Sequence, residues 1–293
     1  MTDERHNYEY RVNTASESGP ANVVRMVGQK KRVVEIGCGP GSITKILATQ
    51  GQCSVIGLEL DSDAIEKAKP YCKRIFQADL NSNDWPRLLD DFERFDVVLA
   101  ADVLEHLYDP WTALQRMVPL INQQGYLVIS LPHIGHASVL ACLMEGDFKY
   151  HDWGLLDRTH IRFFCLKNIE DLFAQANLKI IDVSYVIKHP LETEFAANWT
   201  RLSASVQEVL MSSTHAGVFQ VVVKAVPLSY LGDVVPLVSP TPKYKPAPIL
   251  FALMWRRRFI VLFKTLLFQL SKHLSPQWKA KFRKVLDFAG IRL

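Results

Sequence analysis

The chain has 293 residues, of which 48% are hydrophobic and 22% charged, a composition that supplies a full core and excludes a disordered protein. Residues 1–30 are polar and lack the apolar core of a signal peptide, and no uninterrupted apolar run approaches the roughly 20 residues that span a membrane. The formal net charge of +4 conceals an asymmetry: residues 228–293 hold twelve Lys and Arg against two Asp, a balance of +10, which leaves −6 on residues 1–227.

An acidic body argues against nucleic acid as a partner, whereas a basic, apolar tail points to a membrane surface or an acidic partner. Cys38, Cys53, Cys72, Cys142 and Cys165 form no C-x-x-C pair, and their odd count fits free thiols in a reducing cytoplasm.

In chain order, the first periodic stretch is a short helix over 21–28, expected to cover the mouth of a site. From Arg32 the pattern becomes regular. Strands over 33–37, 53–59, 74–78, 95–101 and 125–131 are interleaved with helices over 41–50, 62–69 and 110–119, an alternation that predicts an α/β doubly wound parallel sheet. Residues 132–164 are rich in His, Asp and aromatics and too long for an ordinary connection, so a functional loop or lid is expected there.

A helix over 166–177, strands over 179–187 and 217–226, and a helical insertion over 191–212 complete a domain expected over 31–227, after an N-terminal segment over 1–30. Five prolines between Val234 and Pro248 bar helix and central strand, and mark a linker over 228–248. Beyond it, 249–293 reads as a basic amphipathic helical tail, with one helix over 249–274 carrying Arg256, Arg257, Arg258, Lys264 and Lys272 and another over 277–288.

The chemistry centres on Val33-Val34-Glu35-Ile36-Gly37-Cys38-Gly39-Pro40-Gly41, a buried strand that runs into a glycine turn and then a helix whose first amides face the turn. Three carboxylates end successive strands around it: Glu35 before the turn, Glu59 after the second strand and Asp79 after the third. Glu35 suits an amino-acid ammonium, Glu59 suits both ribose hydroxyls in a bidentate geometry, and Asp79 suits an exocyclic adenine amine. Such a set describes S-adenosylmethionine. A nicotinamide site is disfavoured, because Ser42 stands where G-x-G-x-x-G places its third glycine.

The order E-x-G-x-G-x-G, L-E-L-D, Q-A-D-L and F-D-V-V-L-A-A-D-V-L-E-H-L resembles the class I S-adenosylmethionine-dependent methyltransferases over roughly residues 30–227. The resemblance implies a seven-stranded, mostly parallel sheet with the last strand antiparallel, plus the helical C-terminal extension. By position, Gly37, Cys38, Gly39 and Gly41 would hold the methionine end, Glu59 the ribose and Asp79 the adenine, with Leu60 and Leu80 as apolar walls and Asp102 completing the cofactor set.

No D-P-P-Y sequence follows the fourth strand, so amino-methylation of adenine in nucleic acid is not expected. The stretch Asp102-Val103-Leu104-Glu105-His106 is similar to that of ubiquinone-pathway and other small-molecule O-methyltransferases, some of which hold a divalent metal at positions that correspond to Asp102, Glu105 and His106. The segment 154–164 is similar to that of a bacterial subgroup associated with sugar-chain biosynthesis. His160, His106 and His133 are the candidate bases for a hydroxyl acceptor, together with His151, and Asp157 or Asp152 could orient one of them. Arg158 and Arg162 are read as anchors of this segment through salt bridges.

The expected function is thus methylation on oxygen of a sugar, glycolipid or other small acceptor, including a lipid-linked saccharide. Its expected setting is the cytoplasm, with peripheral attachment to the inner face of the membrane through 249–293. Two other readings stand beside it: a metal-dependent quinone-type O-methyltransferase, and a non-catalytic module that binds S-adenosylmethionine to regulate or scaffold a partner.

Overall fold

A computed structural model describes residues 8–238. Strands β1 (Arg32–Ile36), β2 (Ser54–Glu59), β3 (Arg74–Gln77), β4 (Phe95–Ala101), β5 (Ile121–Pro132), β6 (Leu178–Ile187) and β7 (Val218–Pro227) form one seven-stranded sheet in the order β3-β2-β1-β4-β5-β7-β6. β1 through β5 pair in parallel, and β7 inserts antiparallel between β5 and β6. The expected sheet, including its reversed last strand, is present.

The helices are α1 (Gly19–Val27), α2 (Ser42–Thr49), α3 (Ser62–Ala68), α4 (Pro110–Met117), α5 (Ala137–Met144), α6 (Leu166–Gln175), α7 (Ala196–Arg201) and α8 (Ala204–Met211). Alternate residues of the central strands enter opposite cores, as strand geometry requires. Val34, Ile36, Val98 and Ala100 pack with Leu114 and Met117 of α4 and Ile169 and Phe173 of α6. Val33, Val97 and Leu99 pack with Val23 and Val27 of α1 and Ile43 and Leu47 of α2. Burial on both faces explains why these strands read as continuous apolar runs. Among the described residues, no helix is long and apolar enough to cross a membrane.

Three expectations change. Residues 132–164 are not one irregular segment, because Ala137–Met144 forms α5. Its sequence, ASVLACLM, is apolar almost throughout and has no polar face to reveal a helical period. Val139 and Cys142 pack against Leu155, Leu156 and Phe195, and Ala137 and Ala141 pack with Trp199 and Ala216, while Leu140, Leu143 and Met144 are exposed. α1 lies on the sheet rather than over the site, packing on β5 and β7, and only its Pro20 reaches the central cavity.

The first part of the expected linker stays on the body. Val235 N donates to Ile180 O at 2.9 Å, Tyr230 Oη donates to Asn122 O at 2.8 Å, and Leu237 is fully buried. Residues 239–248 and the two helices read over 249–274 and 277–288 lie outside the described residues.

Candidate active site

The strand order reverses between β1 and β4, and a cavity of about 1030 Å³ opens at the carboxyl ends of the strands there. Its first half is built from the glycine turn. Gly37, Gly39 and Gly41 have φ of 68°, 53° and 83°, the left-handed region that favours glycine. The last two are required for different reasons. A Cβ on Gly41 would lie 2.8 Å from Ala68 Cα, so this glycine lets α3 approach α2, whereas a Cβ on Gly39 meets nothing within 4 Å. Gly39 therefore keeps space clear at the cavity wall.

Glu35 is buried where β1 meets the turn, and it accepts a 2.7 Å hydrogen bond from Thr44 Oγ1 on α2. Burial pushes its carboxyl up to about 8; the Thr44 bond opposes the shift and the Glu59 charge adds to it. A cationic ligand group is the natural partner for such a carboxyl.

Glu59 ties β2 to the turn. Its Oε2 accepts from Gly39 N at 2.7 Å, and its Oε1 accepts from Leu60 N at 2.8 Å and Asp61 N at 3.0 Å. Three of about four lone-pair sites are thus engaged, so the expected bidentate grip on two ribose hydroxyls narrows to room for one. Asp79 Oδ1 accepts from Asn81 N at 2.9 Å, and its second oxygen has no partner among the described residues. Leu60, 58% exposed, and the half-buried Leu80 line the same wall, apolar surface that a flat ring would cover.

Asp102 sits at φ 54°, a strained setting for a residue with a Cβ. Its amide donates to Ser130 Oγ at 3.0 Å, and its Oδ1 accepts from Ser130 Oγ at 2.8 Å and Gln220 Nε2 at 2.6 Å. These bonds from β5 and β7 hold the residue at the junction of the two halves.

The second half is organised by Glu105. This carboxyl is fully buried, lines the cavity, and has no hydrogen-bond partner on either oxygen among the described residues. Burial, with the Asp102 charge next, holds its carboxyl well above the usual range. His160 Nε2 lies 3.9 Å from Glu105 Oε1, and the His106 and His160 rings meet edge-on at 4.8 Å. His160 Nδ1 lies 3.3 Å from Leu155 O; donation to that carbonyl assigns the tautomer and leaves Nε2 with its lone pair. Burial, followed by the neighbouring His106, lowers the His160 pKa, so the ring stays neutral.

The segment carrying His160 is pinned by the Ile161 and Arg162 amides, which donate to Glu105 O at 2.9 and 3.0 Å. His106 Nδ1 faces Thr159 O at 3.2 Å, and Thr159 Oγ1 donates to Asp157 at 2.7 Å. The N-terminal stretch closes over this region. Tyr8 Oη lies 3.1 Å from Thr159 Oγ1, Lys67 Nζ pairs with Glu9 at 2.7 Å, and Tyr10 N donates to Ser42 Oγ at 3.1 Å.

The structure brings together Glu35, Gly37, Cys38, Gly39, Glu59, Leu60, Asp79, Leu80, Asp102, Glu105, His106 and His160 around one cavity. Gly41 is not on the cavity wall and acts through packing. His133 is not there either. Its side chain is buried against Gly135, burial lowers its pKa to about 4, and its Nδ1 has no hydrogen-bond partner among the described residues, so this candidate base does not face the cavity.

His151 packs its ring on Phe195 at 5.3 Å, and Asp152 pairs with Arg158 at 3.3 Å. Asp157 engages Thr159 rather than orienting a histidine, and Arg162 donates to Tyr108 O instead of a carboxylate. Asp102 does not join the expected metal set, since Ser130 and Gln220 hold it. Among the described residues the donors that gather are Glu105, His106 and His160. Tyr8, Lys188 and Gln220 reach the site from distant elements with no local motif, whereas Thr44 and Thr159 lie beside the glycine turn and His160 without a residue type that marks them.

Residues 7–183 match the family of the methyltransferase domain. The chain belongs to that family, and the fold and the comparisons define a class I S-adenosylmethionine-dependent methyltransferase. A ubiquinone biosynthesis O-methyltransferase from Coxiella burnetii is 25% identical over 169 residues, which cover 56% of this chain and 70% of the relative. One from Bradyrhizobium diazoefficiens is 28% identical over 179 residues, covering 58% and 65%. A solved S-adenosylmethionine-dependent methyltransferase from Archaeoglobus fulgidus aligns with a TM-score of 0.50 at 17% identity, over 70% of this chain and 91% of that one, a likeness of fold.

Proposed function

We propose that the enzyme methylates a hydroxyl oxygen of a sugar, glycolipid, lipid-linked saccharide or other small molecule, with His160 as general base. Glu35 takes the ammonium of S-adenosylmethionine, the backbone of Gly37, Cys38 and Gly39 the methionine chain, Glu59 one ribose hydroxyl, and Asp79 the adenine amine between Leu60 and Leu80. The observation that carries the proposal is His160 Nε2, left with its lone pair by the Leu155 bond, on the cavity wall 3.9 Å from the buried Glu105 carboxyl.

When bound, S-adenosylmethionine would supply an electrophilic methyl group to the acceptor oxygen, and His160 Nε2 would take up the hydroxyl proton. Positioning and exclusion of water supply much of the rest, for which the 151–162 segment and Tyr8 are placed. His160→Gln is expected to lower kcat about 100-fold or more while leaving S-adenosylhomocysteine affinity unchanged. The readout is labelled methyl transfer from S-adenosylmethionine to a small-molecule extract. Label found only on nitrogen, or an unaltered kcat in the variant, would refute the proposal.

A second reading has its own observation. Glu105, His106 and His160 each offer a ligand atom, all within 4.8 Å of one another, and the carboxylate is otherwise unsatisfied. This mixed oxygen and nitrogen set fits a divalent cation. When bound, such a cation supplies Lewis-acid polarisation of an acceptor oxygen, as a quinone-type O-methyltransferase would use it. Activity lost in chelator and restored by magnesium favours this reading; a rate indifferent to chelator eliminates it.

A boundary between body and tail beyond Leu237, and peripheral attachment at the inner face of the cytoplasmic membrane through residues 249–293, belong to the same proposal. They rest on the charge and hydropathy pattern of the chain.

A further inference from the structure

Gly57, in the middle of β2, is flanked by two thiols. A Cβ at this position would stand 3.0 Å from Cys38 Sγ and 3.1 Å from Cys72 Sγ. The two sulfurs are therefore no further apart than the sum of those distances, and they meet over one face of the strand. Their origins differ: Cys38 follows β1 inside the glycine turn and lines the cofactor cavity, and Cys72 immediately precedes Lys73 and β3. The pair thus bridges the two neighbours of β2, and Gly57 is the residue whose missing side chain lets the sulfurs converge.

Their exposure differs too. Cys38 is buried, while Cys72 is half-buried. The Cys38 thiol is held in its protonated form by a hydrogen bond with Cys72, and burial adds to the effect. Cys38 is thus a poor first nucleophile, and Cys72 is the one an external reagent meets first. Cys53, by contrast, directs its sulfur at the Gly28 and Gly51 carbonyls.

We propose that Cys38 and Cys72 are a redox modification site, forming a reversible disulfide that weakens binding of S-adenosylmethionine; the effect on binding rests on assigning the glycine turn to the methionine end. The oxidant class is a low-molecular-weight disulfide, for which oxidised glutathione is the probe. The Cys72 thiolate attacks one glutathione sulfur, the glutathione disulfide bond breaks, and one glutathione thiolate leaves and takes up a proton. Cys38 then gives up its proton and attacks the Cys72 sulfur of the mixed disulfide, expelling the second glutathione, which takes that proton. Two protein thiols are oxidised and one disulfide is reduced to two thiols.

A disulfide requires the sulfurs at about 2.0 Å, well inside a non-bonded thiol contact. Closing it draws Cys38 toward β3. The shift falls on a turn whose neighbouring Gly39 amide is held by Glu59 and whose Cys38 amide is held by Leu58 O at 3.1 Å. Linkage sets a reciprocal condition: a cross-link that weakens the cofactor by some factor is itself disfavoured by saturating cofactor by the same factor.

The test uses the full chain equilibrated in glutathione buffers, with peptide mapping under non-reducing conditions and calorimetric titration with S-adenosylhomocysteine. The expected result is a linked peptide pair containing Cys38 and Cys72, together with a loss of affinity of about tenfold or more. Dithiothreitol should reverse both, and excess S-adenosylhomocysteine should suppress the link. Cys72→Ser and Cys72→Ala should keep the affinity of the reduced protein and ignore oxidised glutathione. A Cys72 that stays a thiol or a stable glutathione adduct overturns the proposal, as does a linked protein of unchanged affinity. If the reduced protein binds no S-adenosylhomocysteine at all, the cofactor assignment of the turn fails and the switch with it, and this outcome is separable because the link is read by mass.

Discussion

Glu35 carries an unusual load for a single carboxyl. It is enclosed between β1 and α2 with one hydroxyl for company, and its pKa rises to about 8. In the free protein the native state holds this proton more tightly than the unfolded chain, so unfolding free energy falls as pH rises from the ordinary carboxylate range to about 8. Glu35→Gln should flatten that slope in chemical denaturation measured across the range.

With cofactor the sign reverses in use, because the ligand's ammonium favours the ionised carboxylate. Affinity for S-adenosylhomocysteine is expected to rise with pH below about 8, by at most tenfold per unit, with release of up to one proton per ligand bound. Calorimetry in buffers of different ionisation enthalpy reads that proton directly, and a pH-independent affinity would show that the ammonium sits elsewhere. Glu35 was legible before the fold because it precedes a glycine turn. The isolation of Glu105 was not, since it depends on what fails to surround it.

The glycine turn and its flanking helices divide their work among residues spaced two apart. A Cβ on Gly41 collides with the Ala68 backbone of α3, whereas one on Gly39 points into open cavity. Gly41→Ala is expected to cost about 1–3 kcal/mol of stability, through overpacking and the left-handed φ, with a correspondingly lower thermal midpoint. Gly39→Arg should abolish S-adenosylhomocysteine binding while the circular dichroism of the folded sheet is retained. Retained affinity in that variant would mean that the turn faces some other ligand.

At this scale the strands were the most readable elements, because burial on both faces makes them short continuous apolar runs between turns. α5 was hidden for another reason: its exposed side carries Leu140, Leu143 and Met144, so apolar residues stand on both its faces and it shows no helical period. His133 was misplaced by the same lack of context. A histidine one residue past β5 has equal claim to cavity or core until Gly135 and its neighbours fix which way it packs.

For the whole molecule, charge separates an acidic body from a basic tail, and the two are expected to answer to different partners. Removal of residues 245–293 should shift the protein from the membrane to the soluble fraction on cell fractionation while S-adenosylhomocysteine affinity is preserved; unchanged fractionation would refute the membrane proposal. The methyl donor was legible in the sequence alone, because the residues proposed to hold it are local: a glycine turn and three carboxylates, each at the end of its own strand, read in register with the β-α alternation.

The acceptor half was decided only in three dimensions. Glu105 and His160 are 55 positions apart, and Gln220 and Tyr8 come from opposite ends of the described chain. No spacing rule joins such residues; they meet because β4, β5 and β7 are neighbours in the sheet and the backbone of Glu105 takes up the amides of Ile161 and Arg162. The same holds for Cys38 and Cys72, which the sequence shows as two unrelated thiols. Only the placement of β1 and β3 on either side of β2, with Gly57 between the two sulfurs, makes them a pair.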